Sequence, residues 1–274
     1  MVICHILDTG YCLASEHHLI AGGRRRRVAC HALVGLLHHP REGWLLWDTG
    51  YAEHMVDATR RLPYGFYRLA TPLRLRPDLA VHAQLGRRGL RPRDIRHVVI
   101  SHFHADHIAG LRDFPAAQLV ATRAAYEGVA GRTGLSALRR GFLPALLPPD
   151  FEGRATLLEA FDGPPLPGLG PTYDLFGDGA LLLVALPGHA RGQIGMLAHT
   201  EGGRVLLAAD GAWLSRAIRE RRPPHRITHL LVDDPAAVGA TLHGLHTFAA
   251  ACPDVRIVPT HCPEAYTREV QPWT

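Results

Sequence analysis

The sequence predicts an α/β protein in which two β-sheets lie back to back and helices cover their outer faces, a four-layer αββα sandwich. Short apolar runs bounded by Gly, Pro and Asp alternate with helical stretches, and this β-rich then α-helical order occurs twice along the chain. The 274 residues contain no internal repeat or long linker. We therefore expect one domain over residues 1–274, long enough to bury a sizeable core.

Each predicted strand of the first half is a short apolar run that ends at turn residues. The first three strands belong to an N-terminal sheet and cover 2–7, 29–39 and 43–50. Helical character follows at 51–61 and 79–86. The stretch 91–102 then predicts a turn and a buried strand that ends at Ser101, and 118–131 predicts a strand followed by a helix.

The second half repeats this order. Its predicted strands share the same apolar character and cover 180–189, 192–200, 203–211 and 255–263. A helix is predicted over 234–253, where apolar residues recur about every four positions, with Pro253 at its end.

Two kinds of segment have an open role. The Pro-rich stretches 142–154 and 162–173 predict irregular structure, which either covers a substrate or merely connects elements. The stretch 69–85 is either a dimer face or a pocket wall, and the oligomeric state stays open.

The composition is that of an ordinary globular protein, with 47% apolar and 20% charged residues. No apolar run is long enough to span a bilayer, and the first residues, MVICHILDTGYCL, lack the pattern of a secretory signal. We therefore expect a cytoplasmic protein with no membrane partner. The cysteine count is five, an odd number, without a CxxC pair, which argues against a disulfide framework.

The net charge of +5 comes from arginine, because the chain contains no lysine. One dense basic run covers Arg24 to Arg27. This run is either a patch for phosphate or an acidic substrate, or a solvated hairpin tip after Gly22 and Gly23. A run of four residues is a weak motif, so the solvated tip is favoured.

The chemistry concentrates in SHFHADHIAG, which directly follows the strand RHVVI. In extended chain, residues two apart point to one side, so His102 and His104 can hold one cation together. Asp106 and His107 follow after the chain turns and can face a neighbouring cation. Adjacent residues share one ion with difficulty, which favours two metals over one.

Three more strands end in residues that bind metals: His189 after an apolar run and a Pro-Gly turn, Asp210 before Gly211, and His261 after VRIVPT. The candidate set then holds five histidines and two aspartates. Two ions need about that many ligands, and zinc, iron or manganese would suit them. Cys262 beside His261 is expected to pack rather than to bind metal.

These motifs resemble the metallo-β-lactamase superfamily. The resemblance rests on HFHADH (102–107), DTG (48–50), PGHARG (187–192), AADG (208–211) and PTHCP (259–263), in the family's order. It implies the αββα fold and two zinc ions. One zinc would be bound by His102, His104 and His189. The second would be bound by Asp106, His107 and His261, with Asp210 bridging, and Asp48 would orient a ligand histidine.

Within the superfamily, the chain is most similar to the branch of N-acyl-homoserine lactonases, which implies quorum quenching. Two departures stand out. Those lactonases carry a tyrosine three residues after the bridging aspartate, where this chain has Trp213, whose indole only donates. Their PGHTxGH appears here as PGHARGQ, and Arg191 in this loop is either a contact for substrate charge or a solvated side chain.

These features predict a dinuclear hydrolase. Two cations would lower the pKa of a shared water, and the resulting hydroxide would attack the carbonyl of a small-molecule lactone or carboxylic ester. Asp106 would also carry a proton to the leaving atom. An acyl-thioesterase of the same fold is the near alternative, and a metal-bound ligand sensor without turnover is the other. Nucleic acid is not an expected partner, because the chain has no room for an inserted clamping domain.

Overall fold

The computed structural model describes residues 1–270, and it contains the two predicted sheets. The first sheet has the strand order β4-β1-β2-β3-β5-β6-β7. Its strands are β1 (Ile3–Ser15), β2 (Arg27–His39), β3 (Gly43–Trp47), β4 (Leu73–Arg74), β5 (Ile95–Val99), β6 (Gln118–Thr122) and β7 (Ala155–Leu158). The second sheet has the order β13-β12-β11-β10-β9-β8. Its strands are β8 (Gly163–Leu166), β9 (Gly170–Asp174), β10 (Leu181–Ala185), β11 (Ile194–Thr200), β12 (Gly203–Ala209) and β13 (Arg256–Pro259).

The helices connect the strands and flank the sheets. They are α1 (Glu16–Leu19), α2 (His54–Ala58), α3 (Gly65–Ala70), α4 (Val81–Arg87), α5 (Ala105–Ile108), α6 (Arg123–Glu127), α7 (Gly134–Leu138), α8 (Phe151–Arg154), α9 (Ser215–Glu220), α10 (Pro235–Ala251) and α11 (Pro263–Glu269). Within residues 1–270, no helix combines the length and the apolar character needed to cross a bilayer.

The central strands are buried on both faces, which explains the four layers. Along β3, Leu45 and Trp47 belong to the core between the sheets, whereas Leu46 belongs to the core under the outer helices. β5 alternates in the same way, because Val99 faces the first core and Val98 the second. This period of two follows from the pleat of a strand. Burial of each leucine contributes about 1.5–3 kcal/mol, so both layers stabilise the sheet strongly.

Strand direction brings the ends of several strands to one edge. In the first sheet β3, β5 and β6 are parallel. In the second sheet β10 and β12 are both antiparallel to β11, and β12 is parallel to β13, so β10, β12 and β13 run in the same direction. The residues that follow these strands therefore meet at one side of each sheet.

The predicted fold class is confirmed. The strands predicted to precede the histidine and aspartate motifs are present. The long predicted helix is α10, and its N-cap Asp234 accepts hydrogen bonds from Ala236 N and Ala237 N. The prediction that 162–173 is irregular is wrong, because β8 and β9 form an antiparallel pair there. β8 lies at the edge of its sheet, where a proline does not interrupt an inner ladder of hydrogen bonds.

The structure places three segments whose roles the sequence leaves open. In 142–154, Leu143 and Leu146 are fully buried in the core under the helices, as expected for a connection that packs. In 69–85, β4 pairs with the edge of β1 and the side chain of Leu85 on α4 is buried in the same core. The run from Arg24 to Arg27 is exposed at the turn that leads into β2.

A buried carboxylate ties this turn to the second half of the chain. Glu16 is 4% exposed, and it accepts hydrogen bonds from Arg26 Nε at 2.7 Å and from Arg216 Nη1 at 3.0 Å. The hydrogen bond from Arg26 holds the pKa of Glu16 below its ordinary value of 4.5, although burial acts in the opposite direction. The ionised carboxylate therefore stabilises the folded state.

We expect Glu16→Gln to lower the free energy of unfolding by about 1–2 kcal/mol at neutral pH, because charge-assisted hydrogen bonds are lost and one partner is solvent-screened. A lowered pKa gives stability that is complete above 4.5 and is lost as the pH falls through the folded-state value. Urea unfolding at neutral pH and at about pH 3 should show the difference shrinking in acid. Glu159→Gln, which removes an exposed carboxylate paired with Arg123, is the control; a Glu16→Gln difference of equal size at both pH values would contradict the assignment.

Candidate metal centre

The predicted site residues gather where the strands of both sheets end. His102, His104 and His107 follow β5, with Asp106 on the short helix α5. The other three come from the second sheet, one after each of β10, β12 and β13: His189, Asp210 and His261. Residues separated by more than 150 positions in sequence thus meet at a single buried cluster.

One end of the cluster contains histidines alone. His102, His104 and His189 each offer a ring nitrogen, and these atoms lie within 4.8 Å of one another. His189 Nε2 and His104 Nδ1 are 2.8 Å apart. Two ring nitrogens facing each other at this distance share either a proton or a cation.

The other end contains Asp106, His107 and His261, whose ligand atoms also lie within 4.8 Å of one another. Asp106 Oδ2 is 3.4 Å from His261 Nε2. Asp210 lies between the two ends: its Oδ2 is 3.0 Å from His189 Nε2 and 3.2 Å from His261 Nε2. Its Oδ1 is 3.4 Å from His107 Nε2. Asp210 therefore has the position of a bridging carboxylate.

Two of these separations fit metal coordination: the 3.4 Å between Asp106 Oδ2 and His261 Nε2, and the 3.4 Å between Asp210 Oδ1 and His107 Nε2. Ligand atoms at about 2.0–2.2 Å from one tetrahedral ion are about 3.3–3.6 Å apart. Three buried atoms of the cluster, His102 Nε2, His107 Nε2 and Asp210 Oδ1, have no hydrogen-bond partner among the residues that the structure describes. Buried polar atoms are normally satisfied, so their convergence indicates that cations complete this site. The residues present suit two metal ions.

Neighbouring groups fix the proton position on the ligand histidines. Asp48 Oδ2 accepts a hydrogen bond from His107 Nδ1 at 2.8 Å and another from Ser101 Oγ at 2.7 Å. Ser101 Oγ lies 3.0 Å from His102 Nδ1 and can accept its proton. With the Nδ1 atoms protonated, the Nε2 lone pairs of His102 and His107 point into the cluster. His261 Nδ1 donates likewise, to the carbonyl of His31 at 2.5 Å.

Unusual backbone conformations support this arrangement. Asp48 has φ 58° and Ala209, just before Asp210, has φ 44°. These left-handed conformations are costly for residues other than glycine and concentrate at functional sites. Gly141 lies against His104, since a Cβ there would be 2.7 Å from the imidazole Cδ2. Glycine is therefore required for the 139–143 loop to lie against this ligand.

The two ends of the cluster differ in charge. Burial and the neighbouring histidines lower the pKa of His102 well below its usual range, and they lower that of His104 to about 3. Burial also opposes protonation of His261, but Asp210 and Asp106 outweigh it and raise its pKa to about 9. His102 and His104 are therefore neutral and ready to bind metal, whereas His261 releases a proton when a cation binds.

Trp213 contacts a ligand rather than open space. Its Nε1 donates a hydrogen bond to Asp210 Oδ2 at 3.0 Å, and its ring lies edge-on to His189. The position that carries a phenol in the resembled lactonases thus supports the bridging carboxylate here. Arg191 is 54% exposed beside His189, with Glu127 3.8 Å away. Cys262 is fully buried with its Sγ 3.2 Å from Ser215 N, as expected for a packing residue.

Two residues of this region carry no sequence signal that singles them out. Ser101 donates a hydrogen bond to Asp48 and lies within hydrogen-bond distance of His102 Nδ1. In the sequence it is distinguished only by its place directly before the histidine motif. Tyr67 comes from the distant helix α3 and has its hydroxyl 3.4 Å from Asp106 Oδ1. No pattern in 51–80 predicts that contact.

We expect Trp213→Phe to lower metal affinity about tenfold, because partners that orient metal ligands typically contribute 10–100-fold. The indole N–H is lost while an aromatic ring stays against His189. Competition with a chromogenic chelator measures the effect. Trp44→Phe on β3, a half-buried indole in the first sheet, is the control and should keep full affinity. Unchanged affinity in Trp213→Phe would show that the hydrogen bond to Asp210 is dispensable.

A two-sheet sandwich with a buried cluster of histidines and aspartates at its strand ends defines a metallo-hydrolase. The chain belongs to the metallo-beta-lactamase superfamily, whose family model matches residues 27–244.

Several named relatives are similar to this chain. An N-acyl homoserine lactonase, AttM, of Rhizobium radiobacter is 30% identical, covering 84% of this chain and 81% of that enzyme. AttM of Azorhizobium caulinodans is also 30% identical, but the match covers 65% of this chain and only 64% of that enzyme. A probable metallo-hydrolase of Mycobacterium tuberculosis, Rv2300c, is 29% identical over 91% of this chain and 81% of its own length.

Solved structures show the same fold. An N-acyl homoserine lactone hydrolase with N-hexanoyl-L-homoserine bound at its catalytic metal centre matches with a TM-score of 0.75 at 19% identity, covering 97% of this chain and 95% of that one. AidC, described as a dizinc quorum-quenching lactonase, matches with a TM-score of 0.64 at 14% identity, covering 96% of this chain and 88% of that one. These structures confirm the fold, and the family model together with the 30% identical relatives confirms the predicted family.

Proposed function

We propose that this protein is a dinuclear zinc hydrolase that opens a lactone or cleaves a carboxylic ester. The observation that carries the proposal is the bridging position of Asp210 between two groups of buried ligands. Imidazole and carboxylate ligands suit zinc, and AidC is described as a dizinc enzyme. The lactone substrate class is supported by the named lactonases at 30% identity.

Each ligand has a role in this proposal. His102, His104 and His189 would hold one ion, and Asp106, His107 and His261 would hold the other, with Asp210 touching both. The two ions would supply a nucleophilic water at neutral pH and a site that polarises a carbonyl. Asp48, Ser101 and the carbonyl of His31 keep three ligand imidazoles in the tautomer that binds metal.

An acyl-thioesterase is the second candidate, and an arginine-lined pocket favours it. A small cavity of about 40 Å³ beside His104 and His189 is lined by Arg139, Arg140 and Arg191. Arg140 is paired with Asp233, but Arg139 is exposed and makes no ion pair with any residue in 1–270. Guanidinium groups at this place suit a phosphate or carboxylate of a substrate such as an acyl-coenzyme A.

One experiment separates the two candidates. The zinc-loaded protein is given N-hexanoyl homoserine lactone and hexanoyl-coenzyme A side by side, and acid release is recorded with Asp106→Asn as the blank. Faster release from the lactone supports the lactonase, and faster release from the thioester supports the thioesterase. Silence on both, with two zinc ions bound, would exclude these two substrates and turn the search to other esters, to phosphoesters or to the ligand sensor.

A further inference from the structure

We propose that Tyr67 is a further residue of the catalytic site, whose phenol donates a hydrogen bond to the leaving-group oxygen of the substrate. The inference rests on the proposed ester or lactone hydrolysis. The phenol keeps its proton throughout and makes the oxygen that departs from the carbonyl carbon a better leaving group.

The first support is the position of the hydroxyl. α3 exposes Phe66 and Leu69, which are 49% and 76% exposed, whereas Tyr67 is half-buried and packs toward the core beneath the helices. Its Oη lies 3.4 Å from Asp106 Oδ1. α3 is otherwise open to solvent, and the phenol of Tyr67 lies at the edge of the metal cluster.

The second support is that the two carboxylate oxygens of Asp106 face different partners. Oδ2 faces His261 Nε2 inside the cluster, and Oδ1 faces Tyr67. Tyr67 therefore lies beside the Asp106 oxygen that does not face His261. The 3.4 Å separation is long, since O–H···O⁻ bonds are typically about 2.5–2.7 Å. The contact does not hold the phenol proton firmly, so the proton remains available to a substrate oxygen.

The third support is that two other donors in contact with the cluster are already committed. Trp213 Nε1 donates to Asp210, and Ser101 Oγ donates to Asp48. Tyr51 is 1% exposed, whereas Tyr67 is half-buried. The hydroxyl of Tyr67 is therefore a donor beside Asp106 that a substrate oxygen can use.

A leaving-group comparison tests this role. A 4-nitrophenyl ester loses a stable phenolate and needs little assistance, whereas a lactone or an ethyl ester loses a basic alkoxide. We expect Tyr67→Phe to lower kcat for the lactone and the ethyl ester by about 100-fold and to lower kcat for the 4-nitrophenyl ester by less than about threefold. Zinc affinity, measured by chelator competition, should stay within about twofold of the wild type, because the 3.4 Å contact with Asp106 is too long to orient that carboxylate.

Tyr64→Phe is the matched control. Tyr64 directly precedes α3, and its hydroxyl accepts a hydrogen bond from Gly134 N at 2.8 Å, so the variant removes a phenol from the same segment without touching Asp106. It should leave all three rates near wild type. Equal losses of Tyr67→Phe on all three esters, or a loss explained by weaker zinc binding, would overturn the proposed role. A wild-type enzyme silent on every ester would instead overturn the proposed function on which the role depends.

Discussion

Asp106→Asn is expected to lower kcat for ester hydrolysis by about 10²–10³-fold or more while the protein stays folded. Burial would raise the pKa of Asp106, but His107 and His261 hold it below its ordinary value, so the wild-type carboxylate is ionised. A neutral amide of the same shape is a poor ligand for a dication. The variant should therefore lose the ion that faces His107 and His261.

Two measurements check this expectation together. Metal content per chain, measured by plasma mass spectrometry, should fall from two ions toward one, and hydrolysis of a 4-nitrophenyl ester should fall with it. His104→Ala should lose the ion at the other end of the cluster, because His104 Nδ1 faces His189 Nε2 there. Circular dichroism should show an unchanged fold in both variants.

Asp113→Asn is the matched control for the same chemical change. Asp113 also pairs with two histidines, His54 at 2.7 Å and His82 at 3.1 Å, but it lies outside the metal cluster. This variant should keep its metal and its activity. If Asp106→Asn kept more than about a tenth of the wild-type rate with two ions bound, the assignment of Asp106 as a ligand needed for turnover would be wrong.

The clustering of the proposed metal ligands could be predicted because it depends on local pattern and strand direction. A metal-binding residue at the end of an apolar run lies at a sheet edge, and parallel strands bring such edges together. His189, Asp210 and His261 each follow a strand of the second sheet, and these three strands run in one direction. Strand order was not needed to place them near the histidine motif.

The remaining features depend on packing that has no local signal. The contact of Tyr67 with Asp106 depends on how the 51–80 segment packs, and the short helices of this segment leave no clear periodicity. The prolines of 162–173 predict irregular chain, yet β8 sits at a sheet edge where Pro164 and Pro165 are tolerated. The edge position of β8 in its sheet therefore permits a strand that the residue types alone do not predict.

Asp48 offers the second large expected effect, because its carboxylate accepts three buried hydrogen bonds. The donors are Ser101 N at 2.8 Å, Ser101 Oγ at 2.7 Å and His107 Nδ1 at 2.8 Å. Asp48→Ala leaves all three donors unsatisfied and places alanine at φ 58°. We expect a loss of about 3–5 kcal/mol in the free energy of unfolding of the metal-free protein, measured in urea.

The Asp48→Asn variant separates two roles of Asp48, which are to fix the proton position on His107 and to stabilise the fold. Asparagine tolerates the left-handed backbone, so the fold should lose much less stability than with alanine. The backbone N–H of Ser101 can only donate, so it must face the amide oxygen, and the amide NH₂ is then directed at His107 Nδ1. A ring nitrogen that accepts from this NH₂ places its own proton on Nε2, the atom that faces the metal cluster.

The expected result for Asp48→Asn is therefore a metal affinity about 100-fold below wild type in a protein that still folds. Chelator competition gives the affinity, and ¹⁵N chemical shifts of the histidine rings report which nitrogen of His107 carries the proton. Asp178→Asn alters another aspartate–histidine pair, in which Asp178 lies 3.0 Å from the Nε2 of the buried His39, and should leave metal binding intact. Wild-type affinity in Asp48→Asn would mean that the tautomer of His107 is set by the metal itself and not by Asp48.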